Sequence, residues 1–175
     1  MILTKEISEE SESSGALTRC LEQTRQALHV CDLLEALADD LPKRVAPVWR
    51  EVQIQERSFL QPYFEFMNST VLPTMLRQSD LGVDRSEMLM RLKADCVDRV
   101  HAMFDLDELI TDALQTDKFD SQPEALGYAL RGHFDALRRD LLWQLDVLWP
   151  MASRTLSKDD MSIVLSALGT TKTLH

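Results

Sequence analysis

Seven polar side chains of this sequence fall where a helical protein normally buries Leu or Ile. They are Thr24, Gln53, Glu56, Cys96, His133, Asp140 and Gln144. A buried amide or carboxylate without a partner is costly, so these groups must pair with one another, with the adjacent Arg57 or with trapped water. Atoms that bind iron or zinc well occur in four of them, Glu56, Cys96, His133 and Asp140. The pattern therefore allows two interpretations, a satisfied polar network or a metal centre between helices.

The segments that carry these side chains have the spacing of helices with one buried face. The predicted helices are Ser13 or Ser14 to Leu41, about 43 to Pro62, 63–78 with a break at Pro73, about Ser86 to Gln115, Pro123 to about 151, and Ser157 to Gly169. The buried face of the fourth long helix is predicted to comprise Leu126, Leu130, His133, Leu137, Asp140, Gln144, Val147 and Met151. Residues 79–82 and 116–122 are predicted loops. Four long amphipathic helices with short connections favour an all-α, antiparallel up-down four-helix bundle with additional short helices.

The 175 residues contain only 5 Gly and 6 Pro and fit one domain, predicted over 15–169. The Ser- and Glu-rich residues 1–14 predict a flexible acidic tail, and residues 170–175 a second flexible tail. The net charge of −10 argues against nucleic acid or an anionic membrane as partner. No apolar run approaches the ~20 residues that span a bilayer, and no secretion signal is expected.

The three cysteines also constrain the setting of the protein. Cys20 and Cys31 lie about 16 Å apart along one predicted helix, which is too far for a disulfide. An odd number of cysteines also leaves one unpaired. A reduced, cytoplasmic environment is therefore expected.

Four stretches of the chain resemble the hemerythrin-like (HHE cation-binding) family, over roughly residues 17–168. They are CDLLEALADDLP (31–42), QIQERSFLQP (53–62), LKADCVD (92–98) and EALGYALRGHFDALRRDLLWQLDVLWP (124–150). The resemblance implies a four-helix bundle whose helices would each contribute ligands to a di-iron centre that binds dioxygen or senses iron and redox state. The match is most specific in the last stretch.

At the positions that hold iron ligands in that family, this sequence has other residues. The positions fall on Thr24, Gln53, Arg57, Cys96, Asp140 and Gln144. A guanidinium at the position of a bridging carboxylate would oppose two nearby cations. The resemblance thus implies a degenerate, metal-free member without a cofactor, in which we expect an Arg57–Asp140 ion pair to join two helices in place of the metal.

The leading hypothesis is therefore a protein that is not an enzyme and has a regulatory or protein-interaction role with an unknown protein partner. The expected contact elements are the short helices 63–78 and 157–168, together with any unshared apolar surface on the long helices. A homodimer is also expected if Trp49, Trp143 or Trp149 is exposed on a helix face.

Two alternatives remain open from the sequence. One is a working iron- or dioxygen-binding or redox-sensing protein, with a di-iron centre held by the replacement ligands Glu56, Cys96, His133 and Asp140. The other is a small-molecule binder that uses a pocket in the bundle core.

Overall fold

The computed structural model describes residues 3–43, 46–78, 82–116 and 118–171, and this part of the chain forms helices without any strand. The helices are α1 (Leu3–Asp39), α2 (46–76), α3 (Val83–Gln115), α4 (Lys118–Ser121), α5 (123–155) and α6 (Lys158–Thr171). The predicted all-α class is confirmed. No helix in the described ranges is both long and apolar enough to cross a membrane.

Several helix ends differ from the predicted ones. α1 begins at Leu3, so the predicted start at Ser13 or Ser14 is wrong, and it ends at Asp39. α3 begins at Val83 because Gly82, with φ of 76°, turns the chain just before it. The predicted loop residues 79–81 and the terminal residues 172–175 lie outside the described ranges. The division into one domain and two tails stays a prediction.

Two helix starts are where the sequence placed them. Pro123 occupies the first turn of α5, where its missing N–H costs nothing. At the start of α6, the Asp160 N–H donates to Ser157 Oγ at 3.2 Å, and the Ser157 N–H donates to Asp160 Oδ2 at 3.2 Å. This reciprocal pair satisfies two backbone donors that the helix itself leaves unbonded.

The predicted breaks at Pro62 and Pro73 are wrong, because α2 continues through both prolines. Each proline beyond the first turn of a described helix follows a π turn, in which N–H groups bond to carbonyls five residues back. The three cases are Glu56–Leu60 before Pro62, Met67–Val71 before Pro73, and Gln144–Leu148 before Pro150. A proline has no N–H and its ring collides with the carbonyl four residues earlier. The wider turn gives the ring room, so the helix continues.

The π turn in α5 also moves the buried face of that helix. A π turn holds one residue more than an α turn, so the inward positions beyond it shift along the chain by one. The sequence predicted that Val147 and Met151 would follow Gln144 on the buried face. Instead, Leu148 and Ala152 are buried and Val147 is exposed. The regular spacing of three and four residues therefore holds only as far as Gln144.

The helices α1 and α5 run in opposite directions, as their cross-contacts show. Between α1 and α5, Arg138 Nη2 donates to Glu35 Oε2 at 2.7 Å, and Trp149 Nε1 donates to Thr24 Oγ1 at 2.8 Å. A higher number in α5 thus meets a lower number in α1. Side-chain contacts also join α2 to α3 and α3 to α5. These pairings bring helices from distant parts of the sequence around one apolar core.

The tryptophans belong to this core and not to the surface. Trp49 and Trp149 are buried, and Trp49 packs edge-on against Phe119 with ring centroids 4.8 Å apart. Trp143 is half-buried and packs against the core. The expectation of exposed tryptophans at a dimer interface is therefore wrong, and with it the reason for expecting a homodimer there.

Candidate functional site

The predicted cluster of polar side chains is divided into separate groups in the structure. Two groups are buried: one contains Thr24, Gln144, Tyr63 and Trp149, and the other is the hydrogen-bonded pair Glu56–His133. Two further groups lie nearer the surface: Gln53 and Arg57 bind Asp107, and Arg99 binds Asp140. Cys96 lies in the apolar core, apart from these groups. Each group joins at least two helices. The sequence found most of the members but did not identify their partners.

The first group is a buried network of four side chains from α1, α2 and α5. Trp149 Nε1–H donates to Thr24 Oγ1 at 2.8 Å, and Thr24 Oγ1 also lies 2.8 Å from the Tyr63 hydroxyl and 2.9 Å from the carbonyl of Cys20, to which it donates. The Tyr63 hydroxyl donates to Gln144 Oε1. All four side chains are buried. We call them the Thr24 network.

The π turn of α5 brings two members of this network together. In an α-helix, side chains five residues apart point about 140° away from each other around the axis. In the π turn Gln144–Leu148, the Trp149 N–H bonds to the carbonyl of Gln144, so these two residues lie nearly above one another. Both side chains therefore reach the same interior point, beside Thr24.

Tyr63 acts in this network as a hydrogen-bond donor. Burial raises the pKa of its phenol well above the ordinary value, so the hydroxyl keeps its proton at neutral pH. The second polar atom of Gln144, Nε2, has no hydrogen-bond partner among the described residues. Tyr63 and Trp149 were not predicted as site residues. For Tyr63 the available signal was its place on the same predicted helix face as Glu56, because a buried Tyr needs a partner for its polar atom. Trp149 gave no such signal, because the regular spacing of α5 placed it off the predicted buried face.

The second group is a pair formed by Glu56 of α2 and His133 of α5. His133 Nε2 lies 2.9 Å from Glu56 Oε1, and both side chains are buried. Glu56 Oε2 has no hydrogen-bond partner in the described part of the chain. His133 also lines a cleft of about 290 Å³ between α3 and α5, whose wall includes Arg99 and Asp105. The pair thus links the core to one groove of the surface.

The predicted Arg57–Asp140 ion pair is wrong. The Arg57 side chain is 61% exposed, and its guanidinium binds both carboxylate oxygens of Asp107, with Nε 2.8 Å from Oδ1. Gln53 Nε2 donates to the same Asp107 Oδ1 at 3.1 Å. Arg57 follows the buried Glu56 by one residue, which turns it about 100° away from the core. It therefore reaches α3 at the surface and cannot reach α5 through the interior.

Asp140 has a different partner, on α3. Arg99 Nε donates to Asp140 Oδ2 at 2.6 Å, and both side chains are only partly exposed. The predicted bonding of Asp140 across the core is thus replaced by a contact at the edge of the α3–α5 groove. This pair and the Arg57–Asp107 pair each join two adjacent helices.

Cys96 is a poor metal ligand in this environment. Burial and, to a smaller extent, the nearby carboxylate of Asp140 together raise the pKa of its thiol to about 12. Metals bind the thiolate, which this site disfavours at neutral pH. Cys20 and Cys31 have the same raised pKa of about 12, caused mainly by burial.

The side chains at the family's ligand positions do not fit a di-iron centre. They offer a threonine hydroxyl, two amides, a guanidinium paired with a carboxylate, a protonated thiol and an arginine-bound carboxylate. Among the replacement ligands, only Glu56 and His133 meet. Across the four described ranges, no three His, Cys, Asp or Glu side chains converge closely enough to hold a metal ion.

The buried thiols lead to a labelling prediction. We expect the folded protein to resist a thiol reagent at about pH 8, and all three cysteines to react after denaturation, because burial keeps them protonated and covered. Counting modified cysteines by mass spectrometry checks this. Fast labelling of the native protein at one cysteine would contradict it and would favour a redox-active thiol.

The same thiols give a pH dependence. Below pH 9.0 they are protonated in both the folded and the unfolded chain and contribute no slope. Between pH 9.0 and about 12 the unfolded chain loses these protons first, so their contribution lowers the free energy of unfolding as the pH rises.

Comparison with family models, curated proteins and solved structures gave no match to this chain.

Proposed function

We propose that this protein is a metal-free, non-catalytic, hemerythrin-like four-helix bundle that works through protein contacts in the cytoplasm. The observation that carries the proposal is the Thr24 network. Two of the positions at which the family resemblance expects iron ligands, Thr24 and Gln144, are instead joined through Tyr63, and Thr24 also binds Trp149. Side chains of this kind connect helices without a metal, and a hydroxyl and an amide are weak ligands for iron.

The packing of the long helices supports the bundle part of the proposal. α1, α2, α3 and α5 each bury apolar residues in one core, and the contacts between α1 and α5 run antiparallel. The three free, buried thiols agree with a reducing compartment.

The described residues around Thr24 argue against the alternative of a small-molecule pocket at that point of the core. The rings of Tyr63 and Trp149 fill the region around Thr24, and both are buried. Clefts of about 230, 290 and 420 Å³ lie instead along the groove between α3 and α5. These clefts border the surface, so they offer no enclosed site at the position that a di-iron centre would take.

The test of the proposal is metal analysis combined with an absorption spectrum. Protein produced in iron-supplemented medium should be colourless and should contain far less than one iron or zinc per chain. A working di-metal bundle would contain about two metals per chain and would absorb visible light. Such a result would overturn the metal-free assignment.

A matched variant makes this test sharper. Thr24→His together with Gln144→Glu places two good ligands at the positions in question. If this variant also remains free of iron while it keeps its helical content by circular dichroism, the surrounding contacts oppose metal binding. If the unchanged protein already binds iron through other residues, the proposal is wrong.

Of the predicted contact surfaces, we favour an unshared apolar surface on a long helix over the two short helices. The segment 63–78 belongs mainly to α2 and buries most of its apolar side chains, including Tyr63, Phe64 and Met67. α6 buries Met161, Val164 and Leu168 against the rest of the protein. Neither element offers a broad apolar face, so we place the contact surface on another helix.

A further inference from the structure

One row of exposed apolar side chains runs along α3. Its members are Val83, Met90, Val97 and Phe104, which are seven residues apart and are 74, 54, 38 and 51% exposed. Seven residues are almost two turns of an α-helix, with a drift of only ~20° per repeat. The four side chains therefore form a nearly straight row about 32 Å long. We call them the α3 row.

The core of the protein does not use this row. α3 buries a different set at the same spacing, Leu89, Cys96, Met103 and Ile110. Met90, Val97 and Phe104 each follow a member of that set by one residue, which is about 100° around the helix axis. α3 thus has two apolar rows, of which the inner one packs in the core and the outer one faces away from it.

The regular spacing distinguishes this row from scattered surface residues. Single exposed apolar side chains are ordinary on a protein surface. An uncovered row at heptad spacing supplies one of the two apolar positions per heptad at which a second helix packs in a coiled coil. α3 contains no proline and no π turn over its 33 residues, so the row is not interrupted as a row on α2 or α5 would be.

The residues beside the row are mostly acidic on the solvent side. The positions one and four residues after each member of the row are Asp84, Glu87, Arg91, Ala94, Asp98, His101, Asp105 and Glu108, and all are exposed. The opposite side consists of the half-buried Ser86, Lys93, Val100 and Asp107. Asp107 is already bound by Arg57. The free edge therefore carries a local negative charge.

We propose that the α3 row docks an amphipathic helix of another protein, with apolar residues at heptad spacing and Lys or Arg at the flanking positions. This inference rests on the proposed function as an interaction protein and names its partner. The partner's cations would meet the acidic edge of α3. A second copy of this chain fits less well, because two acidic edges and two net charges of −10 would face each other.

The experiment uses a synthetic peptide as the probe. A four-heptad helical peptide has Leu at its two core positions and Lys at its flanking positions, and a matched peptide has Glu in place of every Lys. Fluorescence anisotropy measures the binding of each labelled peptide to the full-length protein at low and high salt. We expect binding of the Lys peptide that weakens with salt, and at least about tenfold weaker binding of the Glu peptide.

Matched protein variants assign the binding to the row. Met90→Ser with Val97→Ser removes two central apolar side chains from the row, and we expect at least about tenfold weaker binding of the Lys peptide. Tyr128→Ser with Leu142→Ser removes two exposed apolar side chains of α5 and should leave binding unchanged. All four positions are exposed, so both variants should keep the native helical content and melting temperature.

The outcomes separate this inference from the proposed function. A row variant that binds as well as the unchanged protein, equal binding of the two peptides, or no binding at all would overturn the docking inference. A reversible dimer by analytical ultracentrifugation that the row variant abolishes would overturn the choice of partner in favour of a second copy. The metal content decides the metal-free assignment independently, whatever the peptide does.

Discussion

Replacement of Thr24 by Val is expected to lower the free energy of unfolding by about 1–3 kcal/mol, although the two side chains have the same shape. The change removes the acceptor of the Trp149 indole N–H and the hydroxyl that contacts Tyr63. Buried donors that lose their partner keep the full cost of their lost hydration. Urea unfolding followed by circular dichroism measures the effect.

Thr24→Ser is the matched control for this prediction. Serine keeps the hydroxyl and removes only a methyl group, so we expect a loss of about 1 kcal/mol. If packing alone held this part of the core, the order would be reversed, with the valine variant nearly unchanged and the serine variant less stable. That order would show that the Thr24 network contributes little to stability.

Replacement of His133 by Leu is expected to cost about 3–5 kcal/mol of unfolding free energy. Glu56 Oε1 then loses its one observed partner, and Oε2 has none among the described residues. The carboxyl group of Glu56 would remain buried without any hydrogen bond. Urea unfolding of the purified variant gives the free energy, and its slope shows whether the same surface is exposed on unfolding.

A second substitution in the same chain tests the physical cause. Glu56→Leu combined with His133→Leu removes both polar groups, so we expect the double variant to recover most of the lost stability. His101→Leu on the exposed side of α3 serves as the control and should change stability by less than about 0.5 kcal/mol. A double variant as unstable as His133→Leu alone would show that the cost comes from altered packing.

The helices and their buried faces could be predicted from the sequence because they depend on local spacing. The stripe through Leu89, Cys96 and Ile110 is buried as the repeat of three and four residues requires. The prolines were misjudged for a physical reason. The rule that a proline ends a helix applies to regular α-helical turns. At Pro62, the π turn Glu56–Leu60 removes the collision between the proline ring and the earlier carbonyl on which that rule depends.

The buried members of the site were also readable from the sequence, but their partners were not. Thr24, Glu56 and Gln144 lie in buried stripes, and the structure buries them. Which side chain each one meets depends on how far each helix is rotated and shifted against its neighbours. Arg57 lies one residue after the buried Glu56, which is about 100° around the helix axis. That angle is enough to move its side chain from the core to the surface, where it binds Asp107. Spacing within one helix carries no information about that rotation.

The π turns have a consequence for how such a sequence can change over generations. A π turn is in effect a one-residue insertion, and an insertion alone would rotate every later side chain of the helix by about 100°. In α5, the turn Gln144–Leu148 and Pro150 accommodate each other, and Leu148 and Ala152 form the buried face that this combination requires. Without the extra residue, the ring of Pro150 would collide with the carbonyl four residues earlier. Without Pro150, nothing would require the wider π turn. We therefore expect the two features to be inherited together, so that descendants of this chain keep both or lose both.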